Sequence, residues 1–176
     1  MGPIRVILSV VTSIVAPESL RVVVRPLLQH EIPELARAIP DHLTEGQLRN
    51  RWSEQEMGYR EVLVAEAGGE LLGTVSIRES IGKPASMHLF ALEVATERRG
   101  EGIGSAIIGY VIEEARRRGC RRVFLEVRTE NPARRLYHRL GFRRVGGAFV
   151  NTWYQFNADG SRQRVEELSF RMIKRV

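Results

Sequence analysis

A short glycine-rich segment has the residue types and spacing of a phosphate-binding loop. Arg98 and Arg99 stand directly before Gly100, Gly102 and Gly104. Glycines let a backbone turn its N–H groups toward an anion, and an arginine fork can pair with two oxygens of a multiply charged phosphate. No Lys-Ser/Thr pair follows the last glycine, and the dinucleotide fingerprint is not met either. The segment predicts a pyrophosphate-type ligand, and a plain glycine-rich turn is the alternative.

The elements on both sides of this loop fit that prediction. Residues 87–94 form an apolar, strand-like run, and residues 105–118 have the pattern of a helix that ends at Gly119 as its C-cap. A strand, a glycine loop and a helix start together direct backbone N–H groups and the positive end of the helix dipole at one point. Any side chain at Gly102 or Gly104 is expected to hold the backbone away from the phosphates.

A second motif follows a short apolar strand at residues 123–127. Its characteristic residues, in order, are Ala133, Leu136, Tyr137, Gly141 and Phe142. In this order and spacing the two motifs resemble the two signatures of the GCN5-related N-acetyltransferase (GNAT) superfamily. The resemblance is specific over residues 87–145 and extends, on the order of elements, over about residues 21–174.

The resemblance implies acetyl-coenzyme A as the acetyl donor and an amine as the acceptor. The residues that it assigns to coenzyme binding are Leu92, Val94, Arg99, Gly100, Gly102, Ile103, Gly104, Ser105, Asn131 and Arg134. In the family pattern an asparagine stands seven residues before the tyrosine, where this chain has Glu130. Asn131 stands six residues before it, so it keeps that contact only if the loop is one residue shorter here.

Tyr137 occupies the position of the family's general acid. A phenol has a pKa suited to protonating the thiolate that leaves when the thioester is cleaved. The alternative is a core aromatic residue whose hydroxyl is tied to the backbone.

In this family a bulge splays the end of the strand before the glycine loop, which frees backbone groups for the pantetheine arm and the thioester carbonyl. Glu93 lies at that end, next to Leu92 and Val94, and is our candidate for the general base, directly or through a water. The alternative is a carboxylate that only balances Arg98 or Arg99. Glu126, on the next strand, is the second candidate.

The acceptor cleft is built from parts of the chain with less characteristic sequence. Candidate residues for it are Asp41, His42, Trp52, Tyr59, Trp153 and Tyr154. A polyamine, an aminoglycoside-like drug, an amino acid and a protein N-terminus all remain open as acceptors.

Periodicity and turn signals predict a mixed α/β chain with the GNAT fold. The predicted strands are residues 21–25, 59–66, 70–77, 87–94, 123–127, 148–156 and 165–174. The predicted helices are residues 32–39, 44–55 with a Thr44–Gln47 capping box, 105–118 and 132–140. These elements predict a central mixed, mostly antiparallel sheet of about six to seven strands, splayed at the cofactor site and flanked by about four helices.

Length and composition restrict the number of domains and the classes of partner that the chain can have. The 176 residues predict one domain from residue 21 onward, and a single cysteine, Cys120, fits a reducing, cytoplasmic compartment. The net charge of +6 could indicate nucleic-acid binding. However, only Lys83 and Lys174 are lysines, so the arginine bias pervades the chain and no basic patch stands out. We predict no nucleic-acid partner, and the His and Cys spacings predict no metal site.

Residues 1–20 are ambiguous. The apolar run at residues 4–16 is too short to span a bilayer, and no membrane partner is predicted. It could be a weak signal peptide, but a cytosolic cofactor favours an extra strand or a packing arm at a homodimer contact.

Two functions of different classes follow. The first is an amine N-acetyltransferase that transfers the acetyl group directly. The second is a non-catalytic acyl-CoA sensor or interaction module. Tyr137 separates them, because a sensor has no use for a placed acid.

Overall fold

The computed structural model describes residues 21–41, 43–80, 84–157 and 161–176. The expectations for residues 1–20, for His42 and for the turn at residues 158–160 lie outside this range. Within it, the order of strands and helices is the one predicted from the sequence.

Seven strands form one sheet. They are β1 (Val23–Pro26), β2 (Glu61–Ala67), β3 (Glu70–Ser80), β4 (Ser86–Val94), β5 (Arg122–Arg128), β6 (Arg143–Phe156) and β7 (Arg162–Arg175). The helices are α1 (Ile32–Ala38), α2 (Glu45–Glu56), α3 (Ile103–Arg117) and α4 (Arg134–Arg139). The strands lie in the order β1-β2-β3-β4-β5-β7-β6. Only β4 and β5 pair in parallel, so the predicted mixed, mostly antiparallel sheet is confirmed.

The two faces of the sheet carry separate hydrophobic cores, because side chains alternate along each strand. On β4, Met87 and Leu89 belong to the core that packs under α3. On β2, Val62 and Val64 belong to the core under α1 and α2. We call these the α3 face and the α2 face.

Local signals account for most of the boundaries. Thr44 and Gln47 form the predicted capping box of α2. Gly68 and Gly69 both have positive φ, as a tight hairpin turn requires.

Several boundaries differ from the predicted ones by two residues or more. Helix α3 begins at Ile103 rather than at residue 105, because Gly102 itself takes the N-cap position. Strands β6 and β7 are longer than predicted. The ladder continues past a register shift between Val145 and Phe149, where Gly146 has a positive φ. Glycines in that position mark a bulge rather than the end of a strand.

Candidate active site

Strand β4 is distorted where it approaches the glycine loop. Phe90 lies opposite Ser76, and Glu93 lies opposite Thr74, so the two residues between them, Ala91 and Leu92, face only one residue of β3. Ala91 has a φ of 50°, the only positive φ among the described non-glycine residues. This is a β-bulge, which bends its strand and leaves backbone groups unpaired. A non-glycine residue in this conformation marks strain that the surrounding structure must hold in place.

The parallel partner strand separates from β4 at the same level. The ladder between β4 and β5 ends at the pair His88 and Phe124, although both strands continue further. A cavity of about 200 Å³ lies in the gap. Its walls come from residues 89–92 and 125–128, together with Asn131, Tyr137 and Glu167. The expected splay at the end of this strand is therefore present.

Tyr137 is the titratable side chain that reaches this cavity from the α3 face. Its side chain is 7% exposed and packs edge-on against Phe142, with ring centroids 6.0 Å apart. No described residue forms a hydrogen bond with its hydroxyl, so the alternative of a hydroxyl tied to the backbone is not observed. Burial raises the pKa of Tyr137 to about 12. A phenol that stays protonated and lines a cavity can act as a proton donor.

The raised pKa of Tyr137 leads to a prediction for the alkaline side of the pH–rate profile. The acid is needed in its protonated form, and a raised pKa extends the range in which it is protonated. We therefore expect activity to stay level between about pH 8 and pH 10, where an ordinary tyrosine would begin to ionise. Initial rates across this range, at saturating concentrations of both substrates, test the expectation. A falling limb in that range that is absent from Tyr137→Phe would contradict it.

The glycine loop ends at the start of α3, where Gly104 lies close to Leu136, the residue before Tyr137. Gly100 and Gly102 have φ of 89° and 87°, a conformation that favours glycine. Among the described residues, no backbone carbonyl accepts a hydrogen bond from the N–H groups of residues 100–105. These donors and the helix dipole together are suited to an anion.

Gly104 also has a packing role, which the sequence did not indicate. A Cβ there would lie 3.2 Å from Leu136 Cδ2 and 4.0 Å from Val94 Cγ2. The glycine therefore lets α3 approach α4 closely, and a side chain would displace the first turn of α3. Gly73 is a similar position, which sequence reasoning missed. Its Cβ would lie 2.9 Å from the Glu93 carbonyl oxygen and 3.1 Å from Ile107.

The other residues predicted to bind the coenzyme differ in their exposure and in the groups available to a ligand. Ile103 is buried in the α3 core, so only its backbone can face a ligand, and Leu92 and Val94 pack against that core. Ser105 is half-buried in the first turn of α3. Arg99 follows the turn at residues 96–98 and is exposed.

Two predicted residues belong to the loop before α4. Asn131 Oδ1 accepts a hydrogen bond from the Ala133 N–H at 2.9 Å, so the side chain holds the turn before α4 while it also lines the cavity. Arg134 donates to the Thr129 carbonyl and lies over the Phe170 ring. The contact of either residue with a coenzyme stays a prediction.

Glu93 turns toward the α2 face because of the bulge. Strict alternation would place it on the same face as Leu89, but the extra residue shifts the later part of β4 by one position. Both of its carboxylate oxygens accept from Arg51 of α2, at 2.7 and 2.9 Å. Arg98, one of the two arginines of the expected alternative, binds Glu70 and Glu101 instead.

We expect Glu93→Gln to lower kcat/KM about tenfold or more. If Glu93 is the base, activity rises with pH on the acidic side of the profile, and the substitution lowers kcat and removes that rise. If Glu93 instead binds the ammonium group of the acceptor, the substitution raises KM and the rise stays. Steady-state kinetics at several pH values separate the two roles. The matched control is Glu97→Gln, at an exposed residue in the next turn. If neither parameter changes, the base lies elsewhere and Glu126 is the next residue to test.

Glu126 also reaches the cavity, from β5. It accepts a hydrogen bond from Arg171 at 2.6 Å. Both carboxylates proposed as bases are therefore held by an arginine, and Glu126 is the one of the two that lines the cavity.

The residues predicted to line the acceptor cleft are dispersed. Asp41 accepts from the Thr96 hydroxyl at 2.9 Å, near the glycine loop. Trp52 packs against the core under α1 and α2. Tyr59 is exposed and lines a second cavity of about 530 Å³. Trp153 and Tyr154 are exposed neighbours on β6, so they face opposite sides of the sheet.

Sequence reasoning missed Arg51, which the arginine-rich composition hides among many others. The signal that could have found it is its place on a helix predicted to cover the acceptor side.

The described residues contain no group of three or more His, Cys, Asp or Glu arranged to hold a metal ion. None of the described helices combines the length and the apolar character needed to cross a membrane.

Comparisons with known proteins agree with this geometry. Residues 27–142 match the model of the Acetyltransferase (GNAT) family, which is more than half of the chain. The chain belongs to this family, and the resemblance seen in the two motifs is confirmed.

Several of the similar proteins are named as acetyltransferases. N-acetyltransferase 8 of Mus musculus is 36% identical over 96 residues, which are 51% of this chain but only 42% of the mouse protein. Two solved structures have the same fold. One is a ribosomal-protein-alanine N-acetyltransferase from Brucella melitensis, with 23% identity, a TM-score of 0.63 and coverage of 88% of this chain and 99% of that one. The other is the ribosomal-protein-S18-alanine N-acetyltransferase from Escherichia coli, with 20% identity, a TM-score of 0.64 and coverage of 89% and 94%.

Proposed function

We propose that this protein transfers the acetyl group of acetyl-coenzyme A directly to a primary amine. The observation that carries the proposal is the gap between β4 and β5, a cavity that is lined by Tyr137 and by the bulge residues Ala91 and Leu92. We place three functions along β4 and this gap: an anion site at the glycine loop, backbone groups at the bulge of Ala91 and Leu92, and a proton donor at Tyr137.

Each part of the coenzyme has a suitable site along that path. The backbone N–H groups of residues 100–105 and the N-terminus of α3 bind the pyrophosphate, with Arg99 beside them. The backbone of the bulge at Ala91 and Leu92 holds the pantetheine arm and donates a hydrogen bond to the thioester carbonyl. Donors fixed in advance toward a developing oxyanion are usually the largest single catalytic contribution.

The transfer itself needs two proton movements. The neutral amine attacks the thioester carbonyl carbon from the α2 face; a C–N bond forms and the C–S bond breaks. The departing thiolate takes the proton of Tyr137 from the α3 face. The amine gives up its own proton to Glu93, or to water that Glu93 holds.

The single cysteine supports direct transfer over a covalent enzyme intermediate. Cys120 is buried at the end of α3 and does not line the cavity, and burial raises the pKa of its thiol. A buried, protonated thiol is a poor nucleophile.

A non-catalytic acyl-CoA sensor is the second candidate, since the glycine loop alone would serve it. Against this reading, Tyr137 lines the cavity and its hydroxyl has no hydrogen-bond partner among the described residues. A protein that only binds the ligand has no use for a proton donor placed in this way.

The test is acetyl-CoA turnover with a panel of amines that includes polyamines, aminoglycosides, amino acids and short peptides, followed by free thiol release. We expect at least one class to release thiol well above the rate of hydrolysis. Tight coenzyme binding by calorimetry without turnover on any amine would favour the sensor.

A further inference from the structure

The α2 face of the sheet, from which the acceptor would enter, has an unusual charge pattern around its aromatic residues. Phe90 lines the cavity that holds Tyr137, and Phe124 follows on the next strand. Three arginines lie over these rings. The guanidinium carbons of Arg60 and Arg78 are 4.9 and 5.3 Å from the centroid of Phe90, and that of Arg171 is 5.6 Å from that of Phe124.

Two of these three arginines already have a carboxylate partner. Arg60 pairs with Glu54, and Arg171 pairs with Glu126. Arg78 is exposed and forms no ion pair with any residue in the part of the chain that the structure describes. The positive charge beside Phe90 is therefore not balanced within the described chain.

Neighbouring groups respond to this charge. Burial and then the positive charge of Arg78 lower the pKa of His88, the residue paired with Arg78 across the strands, to about 4. Burial also lowers the pKa of Arg60, and the like charges of Arg51 and Arg78 add to that effect. His88 therefore stays neutral at physiological pH, and of the three arginines over these rings Arg78 is the one without a carboxylate partner among the described residues.

The register of the strands sets the distance from this cation to the reaction point. The bulge at Ala91 and Leu92 lies opposite Val75, and Arg78 is three residues further along β3. A strand rises about 3.3 Å per residue, and the Arg78 side chain reaches back over Phe90, so the separation is roughly 5–10 Å. This is about the length of two to three extended residues.

We propose that Arg78, held against Phe90 beside Arg60, binds an anionic group of the acceptor, so that the protein prefers amines carrying a carboxylate roughly 5–10 Å from the nitrogen. Short peptides with a free C-terminus and ω-amino acids have this chemistry. The proposal rests on the acetyltransferase function above and narrows its acceptor. A guanidinium fork suits a carboxylate, and a face of unbalanced positive charge disfavours polyamines.

The test compares three acceptors of equal chain length: aminohexanoate, its neutral amide aminohexanamide, and the dication diaminohexane. For the wild type we expect kcat/KM for the carboxylate to exceed that for the amide by about tenfold or more. The diamine should be the poorest acceptor. In Arg78→Gln the advantage of the carboxylate should disappear, while kcat/KM for the amide and the affinity for acetyl-CoA stay at the wild-type value.

The matched control is Arg49→Gln, at an exposed arginine paired with Glu45 on α2, which should keep the preference. Equal or better acetylation of the amide or the diamine by the wild type would overturn the inference and leave the proposed function standing. A carboxylate preference that survives in Arg78→Gln would overturn the assignment to Arg78. If none of the amines, including those of the wider panel, releases thiol, the proposed function itself fails and the inference with it.

Discussion

Replacing Tyr137 with phenylalanine should lower kcat by about a hundredfold and leave the affinity for acetyl-CoA unchanged. The ring is 7% exposed and would keep its packing against Phe142, so only the proton donor is removed. A thiolate is a good leaving group, which sets the effect at the lower end of what general acids contribute. The measurements are single-turnover rates, so that chemistry and not product release is observed, and coenzyme affinity by calorimetry.

The same variant carries an internal control for folding. Because the hydroxyl has no hydrogen-bond partner among the described residues, its removal should not lower the melting temperature. Phe142→Leu, at the residue that packs against Tyr137, is a second comparison: it should lower stability while leaving the phenol in place. An unchanged single-turnover rate in Tyr137→Phe would reduce the residue to a packing role and favour the sensor.

Gly104→Asp should weaken acetyl-CoA binding by at least about tenfold, which is about 1.4 kcal/mol or more. Two effects add: the side chain would meet Leu136 and displace the first turn of α3, and its charge would repel the phosphates. An acidic residue in the first turn of a helix favours helix formation, so the variant should still fold.

Two further variants separate these effects. Gly104→Ala adds only the contact with Leu136, so it should weaken binding less than the aspartate. Gly109→Asp places the same charge further along α3, where a Cβ meets nothing within 4 Å, and should leave binding close to that of the wild type. Part of the loss in Gly104→Asp should be screened by salt. Unchanged affinity in folded Gly104→Asp would remove the coenzyme phosphates from this loop.

The sequence alone was enough to predict features that depend on local chemistry. The capping box of α2, the two-glycine turn between β2 and β3, and the order of the elements follow from residue types at short spacing. The two motifs around Gly102 and Tyr137 could also be recognised from the sequence. A loop with positive φ favours glycine, and the first turn of a helix favours proline.

The tertiary structure decided where the charged side chains point. Alternation along β4 predicts that residues 89, 91 and 93 share one face, but the bulge at Ala91 moves Glu93 to the face of α2 and Arg51. No local pattern announces that bulge, because Ala91 is an ordinary residue held at positive φ by its surroundings.

Long-range contacts explain the remaining differences. Gly104 and Gly73 are glycines because Leu136 and the Glu93 carbonyl come close to them, and both partners are distant in the sequence. Arg51 and Arg78 stand out from a chain whose 27 basic residues are nearly all arginine only when their surroundings are seen: Arg51 pairs with Glu93, and Arg78 lies over Phe90. The residue types and their spacing thus determined which functional groups the chain has. The packing of strands and helices decided which side chains meet, because those contacts join residues far apart along the chain.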